Sequence, residues 1–382
     1  MKIRIHRDTL IYGVQMVQAI AERRTSLPIL SSFLLEARDT VSARIAATNT
    51  QISLDTAVPA EVDSGGVVAI GAKMFFDIVR NLPEKPVEIE VDDSFWIHVR
   101  CGRVHFRIVG QSPEGYPDLP TSGRQVTASA LIPAVVMTEL IERTSFSIST
   151  DETRMHLNSA LFQGDGKMLR MVTTDGHRLT CFEHTPEASG PFRHEILIPQ
   201  RGIGELRRLI EGHEGNLTMT VDPPHAFFQR ESLVPQPGSE SFKTTAMMAV
   251  KLVEATFPPY RQVIPRDNKR RVHASKAALS EAIRRVSTIA SGRTSTVRLR
   301  IAGGKLTVLS DNPDIGVGEE EIDVRAEGGD IEIGFNGRYL LDAIAAVTGE
   351  EVQLNLGDAL DGCVVREVED ERYLAVVMPV RL

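Results

Sequence analysis

The segment MLRMVTTDGHRLTCFE (Met168–Glu183) has a counterpart in each of the other two thirds of the 382-residue chain. The first third contains IAATNTQISLDTAV (Ile45–Val58), and the last third contains KLTVLSDNPDIGVGEEEIDV (Lys305–Val324). This repeat predicts three similar domains, because the copies are spaced by the length of a whole domain. Corresponding landmarks, about 126 to 136 residues apart, are Thr48–Asn49, Thr174–Asp175 and Ser310–Asp311.

Each third has the same predicted order of elements: a helix, several strands, a second helix and further strands. Apolar residues recur at helical spacing in the leading helices, as at Leu10, Val14 and Val17. Apolar and polar residues alternate in Leu217–Val221 and Val352–Leu356, a pattern typical of strands. The sequence therefore predicts an α+β fold with helices and a mostly antiparallel sheet in each domain.

Two segments concentrate Pro, Gly and polar residues between the thirds. They are PEGYPDLPTSG, near residues 112–123, and FPPYRQVIPRDN, residues 257–268. Such composition is typical of linkers. We therefore expect domains at residues 1–123, 124–264 and 265–382.

Composition predicts an ordinary globular protein of the cytoplasm. Apolar residues make up 42% and charged residues 25% of the chain, with no tract of eighteen apolar residues and no signal-peptide pattern. Cys101, Cys181 and Cys363 lie far apart and form no CxxC pair, which argues against a disulfide framework and against a cysteine-built zinc site.

The formal net charge of −8 is unevenly distributed. Six helix-like segments hold 13 Lys and Arg against 9 Asp and Glu, a net +4, so the remainder carries −12. If all six helices faced one surface, that surface would attract phosphates without reading sequence. The alternative is that helix surfaces simply tolerate Arg. The segments are residues 7–24, 73–80, 131–143, 201–211, 275–290 and 336–348.

No motif for nucleotide, cofactor or metal binding is complete. Gly303–Gly304–Lys305 is followed by Leu306 and lacks the upstream glycine of a phosphate loop. Gly202–Ile203–Gly204 lacks the third glycine of a dinucleotide fingerprint. The ten histidines form no HExxH-like pair. We expect no cofactor and no metal.

Asp175 and His177 are the one pair that suggests catalysis. A hydrolase could use them, but no third residue is marked out to orient the pair. Asp-Gly favours a tight turn, since Gly accepts a positive φ and Asp binds nearby backbone amides. A turn that shapes a ligand groove is a further interpretation.

Four motifs occur in order along the chain: LPIL (27–30), TDGHRL (174–179), FPPY (257–260) and VVMPVRL (376–382). Together they resemble those of bacterial DNA polymerase III β subunits, the β sliding clamps, and the resemblance covers the whole chain in order. It implies a non-enzymatic processivity factor made of three clamp domains, each with two helices packed on antiparallel sheets. It also implies a head-to-tail homodimer, a ring of six domains that encircles double-stranded DNA.

The resemblance further implies a groove between the second and third domains that binds short linear motifs of the replicative polymerase, the ATP-dependent clamp loader, and repair and translesion polymerases. Gln262 stands where the family often has Arg, and Val380 where Met is common. The implied lining is Leu157, Thr174, Gly176, His177, Arg178, Leu179, Pro258, Val263, Val376, Met378, Pro379, Val380 and Arg381.

DNA contacts and a dimer seam are implied in the same way. Arg24, Arg154 and Arg201 would contact DNA. The seam would join Arg103, Phe106, Arg107 and Ile108 to Ile289, Glu319, Glu320 and Glu321.

Beside the clamp and the hydrolase, a third class of function stays open: a monomeric scaffold that binds peptides but not DNA.

Overall fold

A computed structural model describes residues 1–21, 27–185, 192–234, 241–266, 268–290 and 296–381. Contacts divide these residues into two compact units. Unit 1 is built mainly from Met1–Val135 and Arg201–Leu252. Unit 2 is built from Val136–Glu187, Pro191–Gln200 and Val253–Leu382.

The six predicted helices are confirmed. Helix α1 ends at Gln18 rather than at residue 24, and α3 begins at residue 134 because residues 131–133 belong to a strand. The helices of the described residues are α1 (Arg7–Gln18), α2 (Ala72–Arg80), α3 (Ala134–Thr144), α4 (Gln200–Ile210), α5 (Lys276–Val286) and α6 (Gly337–Ala345).

The strands also follow the three thirds of the chain. The first third has β1 (Lys2–His6), β2 (Ser32–Ala37), β3 (Ser42–Thr48), β4 (Ile52–Pro59), β5 (Glu61–Ser64), β6 (Gly66–Gly71), β7 (Pro86–Val91), β8 (Trp96–Cys101) and β9 (Val104–Val109). The second has β10 (Ala128–Pro133), β11 (Ser159–Asp165), β12 (Leu169–Thr174), β13 (Arg178–His184), β14 (Arg193–Pro199), β15 (Asn216–Asp222), β16 (His225–Val234) and β17 (Phe242–Lys251). The last has β18 (Arg270–Ser275), β19 (Thr296–Ala302), β20 (Lys305–Asn312), β21 (Gly316–Asp323), β22 (Arg325–Glu327), β23 (Ile331–Asn336), β24 (Glu351–Leu356), β25 (Cys363–Glu367) and β26 (Tyr373–Val377).

Unit 1 contains two antiparallel sheets. The five-stranded sheet has the order β5-β1-β7-β8-β9, so β9 is an edge strand. The eight-stranded sheet has the order β10-β15-β16-β17-β4-β3-β2-β6. In it, β17 pairs with β4 from Ala246↔Thr56 to Val250↔Ile52, which joins the second third of the chain to the first.

Unit 2 also contains two antiparallel sheets. The nine-stranded sheet has the order β14-β11-β12-β13-β26-β25-β24-β18-β22, and the β13–β26 pair joins the second third to the last. The four-stranded sheet has the order β21-β20-β19-β23, so β21 is an edge strand. The mostly antiparallel α+β fold is confirmed.

The repeated segment forms a hairpin in each third: β3–β4, β12–β13 and β20–β21. A leading helix packs on the first hairpin through the buried Leu10, Val14 and Val17. A Cβ on Gly13 would lie 2.6 Å from Cδ1 of Ile45, so only glycine allows α1 to approach β3 this closely. Each fully buried aliphatic side chain of this kind contributes about 1.5–3 kcal/mol of transfer free energy.

No helix among the described residues is long and apolar enough to cross a membrane.

Candidate functional site

The predicted Asp-Gly turn is confirmed at the tip of the β12–β13 hairpin. Asp175 Oδ1 accepts hydrogen bonds from the backbone N–H of His177 at 2.9 Å and of Arg178 at 3.0 Å. Thr174 Oγ1 donates to the carbonyl of Arg178 at 2.6 Å and accepts from the N–H of Gly176. Gly176 has a φ of +92°, which favours glycine. The turn leaves His177 exposed.

Both carboxylate oxygens of Asp175 have partners other than the His177 ring. Oδ1 accepts the two backbone bonds, and Oδ2 accepts from Nε of Arg178 at 3.0 Å. A catalytic carboxylate would instead have to orient the imidazole. The geometry is therefore that of a structural turn.

The Arg178 side chain is largely buried within unit 2 rather than exposed as the lining of a groove. Its side chain is 12% exposed, and Nη1 donates to Oδ2 of Asp342 at 2.6 Å. Nη2 donates to the carbonyl of Phe146, and the guanidinium carbon lies 4.3 Å from the ring centroid of Tyr339. These contacts attach the hairpin to α6 and to the segment after α3.

The last strand of the chain, β26, pairs with β13 and so adds a third strand to the β12–β13 hairpin. Leu179 pairs with Val376, and the carbonyl of His177 accepts from the N–H of Met378 at 2.9 Å. Leu179 and Val376 belong to a buried apolar cluster. These residues form an apolar floor beside the turn. The cluster is Leu161, Val172, Leu179, Cys181, Leu197, Tyr260, Val364, Leu374 and Val376.

The segment after β17 covers part of this cluster. Phe257 and Ile264 pack against it, and the rings of Phe257 and Tyr260 meet edge to face with centroids 6.4 Å apart. The Tyr260 hydroxyl donates to Oε1 of Gln163 at 3.1 Å. Val263 is left 48% exposed, so it presents apolar surface to solvent.

Gly362 is a residue of this site that the sequence did not reveal. A Cβ there would lie 2.9 Å from Cγ1 of Val376 and 3.3 Å from Sδ of Met378. Glycine therefore gives Met378 room beside β26, where its side chain is 37% exposed. A lone glycine before a strand carries no signal for this role.

The remaining predicted groove residues differ in how far they are exposed to solvent. Leu157 is buried and Pro258 is half-buried. Val380 donates its N–H to the carbonyl of Gly334 at 2.8 Å, which directs the chain end toward β23. Pro379 is half-buried and Arg381 is exposed.

The three arginines predicted to contact DNA are placed differently. Arg24 lies outside the described residues. Arg154 has Nη1 3.8 Å from the position of a Cβ on Gly176, and its Nε lies 3.5 Å from Oδ2 of Asp151, so it lies beside the turn. Arg201 is exposed on the first turn of α4 and lines a cavity of unit 1 with Tyr12 and Arg230.

The predicted seam residues of unit 1 lie on or next to the edge strand β9. Phe106 is 38% exposed and lines an apolar hollow with Met74, Ile78 and Leu82. Ile108 is buried, whereas Arg103 and Arg107 are exposed. An exposed aromatic side chain on an open strand edge is typical of an interface.

The predicted seam residues of unit 2 lie on or near the edge strand β21. Ile289 is close to Gly318, since a Cβ added to Gly318 would lie 2.8 Å from Cδ1 of Ile289. Glu320 accepts from Arg285 at 2.8 and 2.6 Å, and Glu321 pairs with Lys305. Glu319 points to the opposite face from Glu320, because side chains alternate along a strand.

Three family models match successive parts of this chain. They describe the N-terminal domain (residues 1–120), the central domain (131–259) and the C-terminal domain (261–381) of the DNA polymerase III beta subunit. The chain belongs to this beta sliding clamp family. The beta sliding clamp of Pseudomonas putida strain KT2440 is 30% identical over 386 residues, which cover 100% of both chains.

Solved clamp structures share the whole fold. The DNA polymerase III subunit beta of Pseudomonas aeruginosa superposes with a TM-score of 0.91 at 30% identity, covering 100% of both chains. A sliding clamp of Bartonella birtlesii bound to griselimycin gives 0.90 at 30% identity, also over 100% of both chains. The prediction of three repeated clamp domains is confirmed.

Membership of the clamp family also excludes the catalytic class of function. Sliding clamps are processivity factors without catalytic activity, so the hydrolase hypothesis for Asp175 and His177 is wrong. Within the part of the chain that the structure describes, no group of three His, Cys, Asp or Glu residues could hold a metal ion.

Proposed function

We propose that this protein is a DNA sliding clamp. Two copies close head to tail into a ring around double-stranded DNA, and the ring tethers the replicative polymerase. The full-length match to three successive clamp domains carries this proposal. Those matches also support domain boundaries near residues 123 and 264.

A ring explains how a chain with a net charge of −8 holds DNA. Topology prevents escape, so contacts from helices with a small excess of Lys and Arg can stay weak enough for sliding. Salt weakens such contacts but does not open a closed ring. The same function would place the protein in the bacterial cytoplasm, associated with the nucleoid.

Retention on closed circular DNA tests this function. Protein loaded onto a nicked circular plasmid by a clamp loader with ATP is expected to remain through a high-salt gel-filtration column. Linearisation with a single-cutting nuclease should release it, since a ring slides off free ends. Equal retention on circular and linear DNA contradicts the ring. Light scattering should give about twice 42.0 kDa, and a stable monomer would favour the scaffold hypothesis.

We propose that β9 of one copy pairs antiparallel with β21 of the other. The register we favour sets Phe106 opposite Gly318 and Ile108 opposite Gly316, so that large side chains meet glycines next to Ile289. The exposed Val109 and Ile315 then face each other. In this register Arg103 lies opposite Glu321, and His105 lies opposite Glu319.

The peptide groove is proposed to lie between the hairpin tip, β26 and the segment around Val263. Its apolar floor suits Leu or Phe anchors of short linear motifs, and the exposed His177 adds a polar rim. In this proposal Arg178 holds the wall in place rather than contacting the peptide, since its donors are engaged within unit 2.

Replacing Met378 or Val263 by Asp is expected to weaken peptide binding at least about tenfold, because a charge would enter the apolar lining. Fluorescence anisotropy of a labelled peptide with Leu and Phe anchors measures this. Val368→Asp is the matched control, because Val368 and Met378 are both 37% exposed. Equal loss in the control would contradict the groove assignment, and unchanged ring retention would separate the groove from DNA encirclement.

A further inference from the structure

Two histidines face each other on the outer surface of the five-stranded sheet in unit 1. His98 lies on β8 and His105 on β9, at diagonal positions, because His98 pairs with Arg107 and His105 with Arg100. Nδ1 of His98 lies 3.2 Å from Nε2 of His105. The rings are nearly parallel, at 8°, with centroids 5.5 Å apart. The pair is accessible, since His98 is half-buried and His105 is exposed.

This spacing is that of two ligands on one metal ion. A zinc–imidazole bond is about 2.0–2.1 Å, so two nitrogens at a tetrahedral angle are separated by about 3.3 Å. The observed 3.2 Å meets this requirement before any backbone movement. In the structure the two nitrogens are within hydrogen-bond distance and lie between the two ring centroids, so their lone pairs point at each other. To hold one ion, each ring must turn by about 35°, and the ion takes the place of the shared proton.

The charges around the pair decide which ions it can hold. Glu90 pairs with His98 across β7 and β8, and its Oε2 accepts from Nη1 of Arg100 at 3.0 Å. Arg107 stacks on Trp96, with its guanidinium carbon 3.9 Å from the ring centroid. Within the described residues Arg107 has no carboxylate partner, so an unpaired cationic group lies next to the site and weakens purely electrostatic binding. Imidazole ligands favour Cu²⁺, Ni²⁺ and Zn²⁺ over Mg²⁺ and Ca²⁺.

We propose that His98 and His105 form a binding site for a divalent transition-metal ion, whose remaining positions are filled by water. The site lies beside the edge strand β9. The seam register brings Glu319 of a second copy opposite His105, where its carboxylate supplies a third ligand. This last part rests on the proposed function, whereas binding by the two histidines does not.

The sole tryptophan of the sequence provides a direct assay. Trp96 precedes His98 by two residues, so both side chains lie on the same face of β8. Cu²⁺ added to the full-length protein in chelator-free buffer is expected to quench Trp96 fluorescence saturably, at one ion per chain. His98→Ala and His105→Gln should each weaken the apparent affinity at least about tenfold, as expected on losing one of two protein ligands.

His213→Ala is the matched control, because His213 is also a surface histidine of unit 1 but lies outside this sheet. It should leave the titration unchanged, and Mg²⁺ should not quench. Circular dichroism checks that the variants fold. Equal quenching in the wild type and in the His98→Ala/His105→Gln double variant would overturn the site.

The link to the seam has a separate readout. Analytical ultracentrifugation with Zn²⁺ should show a dimer dissociation constant at least about fivefold lower than with EDTA, because an ion that prefers the dimer stabilises it by mass action. Glu319→Gln should remove this response and keep the fluorescence titration. A response that persists in Glu319→Gln overturns the third ligand. A protein that is monomeric with and without Zn²⁺ contradicts the ring itself, while the quenching assay still tests the two-histidine site.

Discussion

Replacement of Phe106 by Asp is expected to raise the dimer dissociation constant at least roughly 100-fold, since buried aromatic side chains dominate interface energetics. Phe106 is 38% exposed in one copy and lines the hollow together with Met74, Ile78 and Leu82. In the proposed seam it also covers Ile289 of the other copy. A carboxylate there would lose its water on dimerisation and would be placed among apolar side chains, which costs free energy. Dilution series in the analytical ultracentrifuge measure the change.

Leu131→Asp is the matched control for this variant. Leu131 is 44% exposed on β10, which is the edge of the other sheet of unit 1. It should leave the dimer unchanged. A dimer that is equally stable in Phe106→Asp would show that β9 is not the seam.

A charge exchange tests the register of the same seam. Arg103→Glu and Glu321→Arg should each weaken the dimer about tenfold, since like charges then face each other. The double variant should recover most of the affinity, because each seam regains an opposite pair. Failure to recover, together with a large effect of Phe106→Asp, would keep the seam and reject this register.

Much of the fold could be predicted from the sequence because the repeat is local. Residues of each hairpin are close in the sequence, and the turn chemistry of Asp175–Gly176 defines the tip of β12–β13. The pairing of β4 with β17 could not be predicted. Both strands alternate in the same way, and nothing in their composition selects one partner over another.

The site was predicted less completely because its members have long-range contacts. Arg178 matches the family motif, but its contacts with Asp342 and Phe146 exist only in the folded chain. The family resemblance implies that Arg154 contacts DNA, and in the structure its guanidinium lies beside Gly176. Its contact with DNA stays a prediction. Sequence patterns identify residue types and periodicity, but not which distant segments meet.

Replacement of Glu367 by Gln is expected to lower the free energy of unfolding by about 3 kcal/mol, because one partner of a buried ion pair is removed. Oε2 of Glu367 accepts from Nη1 of Arg143 at 2.9 Å, and both side chains are less than 10% exposed. Oε1 accepts from the N–H groups of Thr348 and Gly349 and from the Thr348 hydroxyl. A neutral amide removes the charge that opposes Arg143, and its NH2 group must face either the Arg143 guanidinium or the N–H groups of Thr348 and Gly349. Chemical denaturation followed by far-UV circular dichroism measures the loss.

The pH dependence of this loss distinguishes the ion pair from simple packing. Burial alone would raise the pKa of Glu367, but hydrogen bonds from Thr348 and the charge of Arg143 outweigh it and lower the pKa below 4.5. The carboxylate therefore stabilises the fold fully above pH 4.5, and this contribution disappears as the pH falls through the lowered pKa. The difference between wild type and Glu367→Gln should shrink over that range.

Glu351→Gln is the control, because Glu351 on the neighbouring strand β24 pairs with the exposed Arg325. This replacement should lower the free energy of unfolding by less than about 1 kcal/mol.

The Glu367 pair also bears on function. It attaches α3 and the segment after α6 to β25, and β25 pairs with β26, which forms the floor of the proposed groove. Glu367→Gln should therefore weaken peptide binding near its unfolding midpoint, whereas Met378→Asp should weaken it under all conditions. Equal stability of Glu367→Gln and Glu351→Gln at neutral pH would show that the buried pair does not hold β25 in place.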